Sequence, residues 1–165
     1  MQSEIEPLLR EAFLAAIPAA DNNTAFENQG FNPAGKAKWY IFSFLPNSPE
    51  VATLGKKGSD KFTGLVQVDI NISAGRGKAG VESDIELLRE TFAAGSRFTN
   101  ENLNLMIRSC GRSGPGRKVD SFYRYSVTIV FESRVRRNLI DLAVDFVLWD
   151  DGEAVLWGDG ELVLF

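Results

Sequence analysis

Apolar positions recur at Ile5, Leu8, Leu9, Ala12, Phe13, Ala16 and Ile17. They form one stripe of a 3.6-residue period, which predicts an amphipathic helix ended by Pro18. Ser3 and Glu6 have the spacing of a capping box at its start. Residues 18–37 are polar, with Asn, Gly and Pro, and read as a loop. Lys38 to Leu45 is aromatic and β-branched and reads as a strand bounded by Pro46. Asn47 to Asp60 reads as a second loop, with Pro49, Gly55 and Gly58. From Phe62 to Ser73 the alternation is strict. Val66, Val68, Ile70 and Ile72 face one way; Gln67, Asp69, Asn71 and Ser73 face the other. This predicts a strand in a sheet with one covered face.

After a glycine-rich turn, Gly75 to Gly80, Val81, Ile85, Leu88 and Phe92 mark a second amphipathic helix. Residues 96–100 read as a loop. Leu103, Leu105 and Ile107 suggest a short strand, and Gly111 to Lys118 a turn. Phe122 to Phe131 reads as a long strand with Tyr123, Tyr125, Val127, Ile129 and Phe131 on one face. Residues 139–149 alternate again. Asp151-Gly152 is a hairpin signal, Ala154 to Trp157 returns, and Leu162 to Phe165 reads as a last strand. The order predicts an α+β fold: a mainly antiparallel sheet with two helices packed on one face, plus a C-terminal acidic β-hairpin extension. The expected division is a domain at 1–137 and an acidic β-rich arm at 138–165. A lone hairpin is marginal in water, so one carrying Trp149, Trp157 and Phe165 needs something to pack on.

A chain of 165 residues fits one domain of ordinary size. Its 44% hydrophobic and 24% charged residues exclude a disordered chain. No apolar run approaches the roughly 20 residues of a membrane helix. Met1 to Arg10 has no basic stretch before an apolar one, so no secretory leader is expected. One cysteine, Cys110, forbids an intrachain disulfide and suggests a reducing, cytosolic setting. Histidine is absent, which removes the commonest general base and the Ser-His and Cys-His pairs. With a single cysteine, the usual zinc sites go as well.

Charge divides the chain. Residues 139–165 hold seven of the 22 carboxylates and none of the 18 cations, leaving 15 carboxylates and a charge of +3 upstream. The basic cluster Arg134, Arg136 and Arg137 stands at the boundary. The acidic tail reads either as a solvated surface or as an arm docking on a basic surface, such as a neighbouring copy's. A remainder of +3 is too mild to argue for sequence-reading of nucleic acid.

Four constellations could carry chemistry. Gly75-Arg76-Gly77-Lys78-Ala79-Gly80 fits GxGxxG between a strand and a helix, a possible nucleotide-binding turn. The alternating strand before it and the lack of an acidic ribose ligand about 20 residues on favour a plain glycine-rich connection. Arg112, Arg117 and Lys118 lie among glycines that could hold phosphate, or in a solvated hairpin loop. Asp150-Asp151-Gly152-Glu153 lacks the spacing of a calcium loop and reads as a turn. Cys110 lies near Arg108 and Arg112, which could lower its pKa, but without histidine it reads as an idle thiol.

Several stretches together resemble one family. Ala25-Phe26-Glu27-Asn28-Gln29-Gly30-Phe31-Asn32-Pro33 is similar to its W-E-N-x-x-F-x-P pattern, with Phe26 in place of Trp. Lys38-Trp39-Tyr40-Ile41 then opens the first strand, and Phe62 to Ile70 follows. The glycine turn and a helix ending Glu90-Thr91-Phe92 complete the set. Over roughly residues 3–133 the chain resembles the tail terminator (tail completion, minor tail protein U-like) proteins of long-tailed bacteriophages. The extension after Arg137 lies outside that pattern.

The resemblance implies a homo-oligomeric ring, usually a hexamer, made in the host cytoplasm and carried in the virion at the head-proximal end of the tail. Such a ring stops growth of the tube and presents a surface for the head. Its partners would be itself, the tail tube protein and a head-tail connector or neck protein. DNA would only pass through its lumen, sequence-blind. No catalysis, cofactor, metal or membrane is implied. Alternatives are a neck or head-completion connector, a nucleotide-binding module using Gly75–Gly80, and a host-side interaction module. The expected interface residues are Lys56, Lys57, Lys61, Arg76 and Lys78 on the loops flanking strand 62–73. Arg134, Arg136, Arg137, Trp149, Asp150, Asp151 and Trp157 are expected around the arm.

Overall fold

The helical stripes and the strand alternations meet in one layer of helix against one layer of sheet. The computed structural model describes residues 4–55, 58–99 and 103–137, and the backbone of 147–148, 154–158 and 161–163. Helix α1 (Ile5–Ala16) buries Ile5, Leu9 and Phe13. Ser3, the expected capping residue, lies outside the described residues. Pro18 ends the helix by opening a single 3-10 turn, Pro18–Ala20. Helix α2 (Ala79–Thr91) buries Val81, Ile85 and Leu88, with Phe92 just beyond its end.

The main sheet contains β1 (Thr24–Ala25), β2 (Lys38–Pro46), β3 (Glu50–Val51), β4 (Ser59–Ser73), β5 (Arg97–Thr99), β6 (Leu103–Arg112), β7 (Arg117–Val119) and β8 (Phe122–Arg136). Its spatial order is β1-β2-β4-β8-β6-β5, with β3 beside β4 and β7 beside β8. The short β1–β2 pairing is parallel. The others are antiparallel. The expected α+β class holds. β4 and β8 pair from Ser59↔Arg136 to Ser73↔Phe122 and form its spine.

Both helices cover the same face. Phe13 of α1 packs its ring 6.0 Å from Tyr40 and 5.5 Å from Phe42. Val66, Val68 and Ile70 of β4 and Val127, Ile129 and Phe131 of β8 continue that core. Gly64 admits the Phe131 ring: a Cβ there would lie 2.9 Å from the ring and 2.7 Å from the Leu45 carbonyl oxygen. One polar tie joins α2 to β2. Buried Asp84 accepts from Lys38 Nζ at 2.7 Å and from the Tyr40 hydroxyl at 2.8 Å. Burial, and then the Asp84 charge, pushes the Tyr40 phenol far above the ordinary tyrosine range. The folded state therefore holds this proton more tightly than the unfolded chain does. The resulting stability is present below about pH 10 and is lost as pH rises further. Thermal melts from pH 8 to 11 should show that fall, and Tyr40→Phe should flatten it.

Several loops are more ordered than their sequence suggests. The 18–37 segment contributes β1, and the 47–60 segment contributes β3 and the start of β4. The expected loop at 96–100 contains β5, which pairs with β6. The expected turn at 111–118 holds the end of β6 and part of β7. These pieces are two or three residues long, so partner strands rather than local pattern define them. Tyr123, expected inside, is exposed near the strand end.

The helix-free face also departs from a solvated surface. Asp69 is 6% exposed and Asn71 1%. Neighbours in the sheet crowd them. Ser126 Oγ donates to Asp69 at 2.6 Å, Gln67 Nε2 donates to Asp69 at 2.9 Å, and Arg124 Nε donates to Asn71 at 2.9 Å. At one end of this face Trp39 lies between Phe31 and Phe122, with centroids 5.4 and 5.9 Å away.

In the extension, β9 (Val147–Leu148), β10 (Ala154–Gly158) and β11 (Glu161–Val163) pair antiparallel with one another. They form a three-stranded sheet separate from the main one.

Candidate functional site

β4 sets the geometry of the expected interface. It runs 15 residues, so its two flanking loops stand roughly 45 Å apart at 3.3 Å per residue. The structure therefore does not bring Lys61 together with Arg76 and Lys78. They belong to opposite ends of one spine.

At the first end, the exposed apolar side chains are Leu45 near the end of β2, Val51 in β3 and Leu54 in the loop beyond it, the last 91% accessible. Lys56 and Lys57 lie outside the described residues. Lys61 projects from the helix-free face opposite Arg134 on β8.

Around these two, the register of four strands gathers a basic cluster. Arg97 comes from β5, Arg108 from β6, Lys61 from β4, and Arg134 and Arg136 from β8. Glu132 lies among them. Arg108 Nε donates to Glu132 Oε2 at 3.1 Å, and Lys61 Nζ lies 3.6 Å from the same oxygen. The Arg108 hydrogen bond, with Lys61 and Arg134 adding charge, holds the Glu132 carboxyl below the usual glutamate range. Arg108 reaches Glu132 because β6 bulges there. Ile107 pairs with Phe131 and Ser109 with Val130, which leaves Arg108 as the extra residue. A shallow groove lined by Arg97, Asn104, Met106, Arg108, Glu132 and Arg134 runs across the cluster. Arg134 and Arg136 are exposed and have no ion-pair partner among the described residues.

Arg137 is placed differently from its two neighbours. Its Nε and Nη2 both donate to Asp60 Oδ1, at 2.9 and 2.6 Å, and its backbone N–H donates to Gly58 at 2.9 Å. This pair holds the Asp60 carboxyl low, mainly through the hydrogen bonds. Arg137 thus anchors the point where the chain leaves the main sheet.

At the second end, Arg76 and Lys78 are exposed on the turn between β4 and α2. Gly75 and Gly77 have φ of 88° and 74°, so the turn itself calls for glycine. β4 is antiparallel to both β2 and β8, whereas a dinucleotide site needs parallel neighbours at that turn. The glycines serve the connection. In the possible phosphate loop, Arg117 and Lys118 are exposed on β7, while Arg112 is committed elsewhere. Arg112 donates to Gly114 at 2.9 Å and to Glu82 at 3.3 Å, and lies 4.9 Å over the Tyr125 ring. Cys110 is half-buried and donates to the Leu88 carbonyl at 3.6 Å. Burial pushes its thiol up to about 11, with Arg89 opposing, so its basic sequence neighbours do not activate it.

Trp149, Asp150 and Asp151 lie outside the described residues. Trp157 falls within β10. The sequence reading missed Arg97, Arg108 and Glu132 as parts of one surface. The available signal was the outward half of the 103–107 alternation, Asn104, Met106 and then Arg108.

The fold and these surfaces can be set beside known proteins. The family model for phage tail terminator proteins matches residues 4–131. The chain belongs to the phage tail terminator family. Family membership makes it a structural component of phage tail assembly and agrees with the resemblance read from Phe26–Pro33 and Phe62–Ile70. The matched region takes in both helices and most of the main sheet. It ends before Arg134 and excludes the acidic extension. A solved structure with 18% identity shares the fold, with a TM-score of 0.55 over 78% of this chain and 94% of its own. A search of curated proteins finds no significant match. No helix among the described residues of this tail terminator family member is long and apolar enough to cross a membrane.

Proposed function

We propose that the protein closes into a ring, usually hexameric in this family's pattern, on the head-proximal end of the tail tube. There it stops tube growth and presents its far surface to the connector or neck of the head. Residues 1–137 act as the ring domain and 138–165 as an arm. The protein is made in the host cytoplasm and ends up in the virion. DNA crosses the lumen without being read. No cofactor is required, and the role is non-enzymatic.

The observation that carries this reading is the two-ended spine within a tail terminator family fold. A terminator must face a tube on one side and a head on the other. The β4 spine separates an apolar and basic end, with Leu45, Val51 and Leu54, from the Arg76–Lys78 turn. We assign the first to the tube and the second to the head. Ring subunits also need two unlike lateral surfaces, because each contact is heterologous. A basic sheet face and an acidic extension on one chain satisfy that need.

Reversing both charges in Lys56→Glu/Lys57→Glu should lower binding to purified tail tubes roughly tenfold, equivalent to about 1.4 kcal/mol. A thermal melt of the same sample checks that the variant stays folded. Co-sedimentation with tubes measures the binding. Unchanged sedimentation would remove this loop from the tube interface.

A further inference from the structure

At one end of the helix-free sheet face, five cations, Lys61, Arg97, Arg108, Arg134 and Arg136, gather around Glu132, with Glu50 at the margin opposite Lys61. Glu132 is already shared by Arg108 and Lys61. Arg134 adds its charge at Glu132 without pairing with it, and among the described residues neither Arg134 nor Arg136 makes an ion pair. Guanidinium groups gathered on a rigid sheet suit carboxylates, which they bind in a fixed fork geometry. The extension offers seven carboxylates and no cation over residues 139–165. Among the described residues its strands pair with one another and not with the main sheet.

We propose that the acidic extension of one copy docks on this basic face of the next copy. The inference rests on the ring reading and names its lateral contact. A basic patch and an acidic element on one chain give a head-to-tail contact when the element reaches the next copy, the kind that closes rings. Arg137 fixes where the arm departs, through Asp60 and the Gly58 carbonyl. The arm therefore starts from a defined point at the basic end of the spine.

A zero-length carbodiimide crosslinker tests this on the full chain. It joins carboxylates to amines, and Lys61 is the amine on the face. Equal amounts of unlabelled and nitrogen-15-labelled protein are mixed, crosslinked and digested. The expected result is mixed-isotope peptides joining Lys61 to residues 141–161. Their yield should fall roughly tenfold in Arg134→Glu/Arg136→Glu, and also in high salt, which screens exposed pairs. A second arm uses Asp150→Lys/Asp151→Lys in an otherwise wild-type chain. Mixing it with Arg134→Glu/Arg136→Glu should restore association that each variant lacks alone.

Crosslinks confined to one isotope would mean that each arm lies on its own face, and would overturn the proposal. Absent crosslinks, or crosslinks indifferent to Arg134→Glu/Arg136→Glu, would overturn it too. So would a face that retains DNA in a filter assay while the crosslinks are missing. Rings seen by electron microscopy without these crosslinks would refute the docking and leave the ring reading standing. Crosslinked open chains without rings would do the reverse.

Discussion

Truncating Phe131 to alanine lowers the unfolding free energy by roughly 3–5 kcal/mol. The ring is 1% exposed, stacks 5.6 Å from Phe44, and lies over Gly64 in the middle of the sheet. Removing it empties the centre of the inner face, where rigid strands on both sides limit collapse into the void. A domain of this size has about 5–15 kcal/mol in total, so roughly a fifth or more of the stability is at stake. Urea titration measures it. Leu54→Ser is the contrast. Its side chain is 91% exposed, and the change should stay within about 0.5 kcal/mol. A loss below about 1 kcal/mol at Phe131 would mean that the inner face is not the core described above.

Removing residues 138–165 is expected to leave a folded domain that self-associates roughly tenfold more weakly or worse. The reason lies in the separation of the two sheets. Among the described residues β9, β10 and β11 pair only with each other, while Arg137 closes the main domain through Asp60. Analytical ultracentrifugation and a thermal melt of the same sample distinguish the outcomes. A cooperative melt close to wild type, with weakened association, fits an arm. A chain that no longer folds would place the extension in the core of the main domain. Unchanged association would strip the arm of its role between copies.

Long periodic elements were legible in the sequence. The stripe from Ile5 to Ile17 and the alternation from Val66 to Ile72 each repeat often enough to fix their own geometry. β1, β3 and β5 were not legible, because two or three residues carry no period and only a partner strand makes them strands. Alternation told which side Asp69 and Asn71 face, but not that they would be buried there. That depends on Ser126 and Arg124, brought beside them from more than 50 residues away.

The candidate surface was legible in the same uneven way. Arg134 and Arg136 stood out as a local cluster, yet their companions Arg97 and Arg108 join them only through strand order and a bulge. Lys61 and Arg76 were expected on the two loops flanking one strand; Lys61 instead falls within that strand, and its length sets Arg76 at the far end. Family resemblance reached further than local physics here, because an ordered set of short matches identifies a fold that no single match specifies.

Tail tube protein assembled in the presence and absence of this chain, and imaged by electron microscopy, tests the central claim most directly. Without the chain, tubes should grow to varied lengths with bare ends. With it, growth should stop and a ring with a central hole should sit on one end of each tube. Tubes that lengthen unchecked with bare ends at saturating protein would contradict a terminator. Rings that bind isolated connector but never tubes would move the protein to the neck.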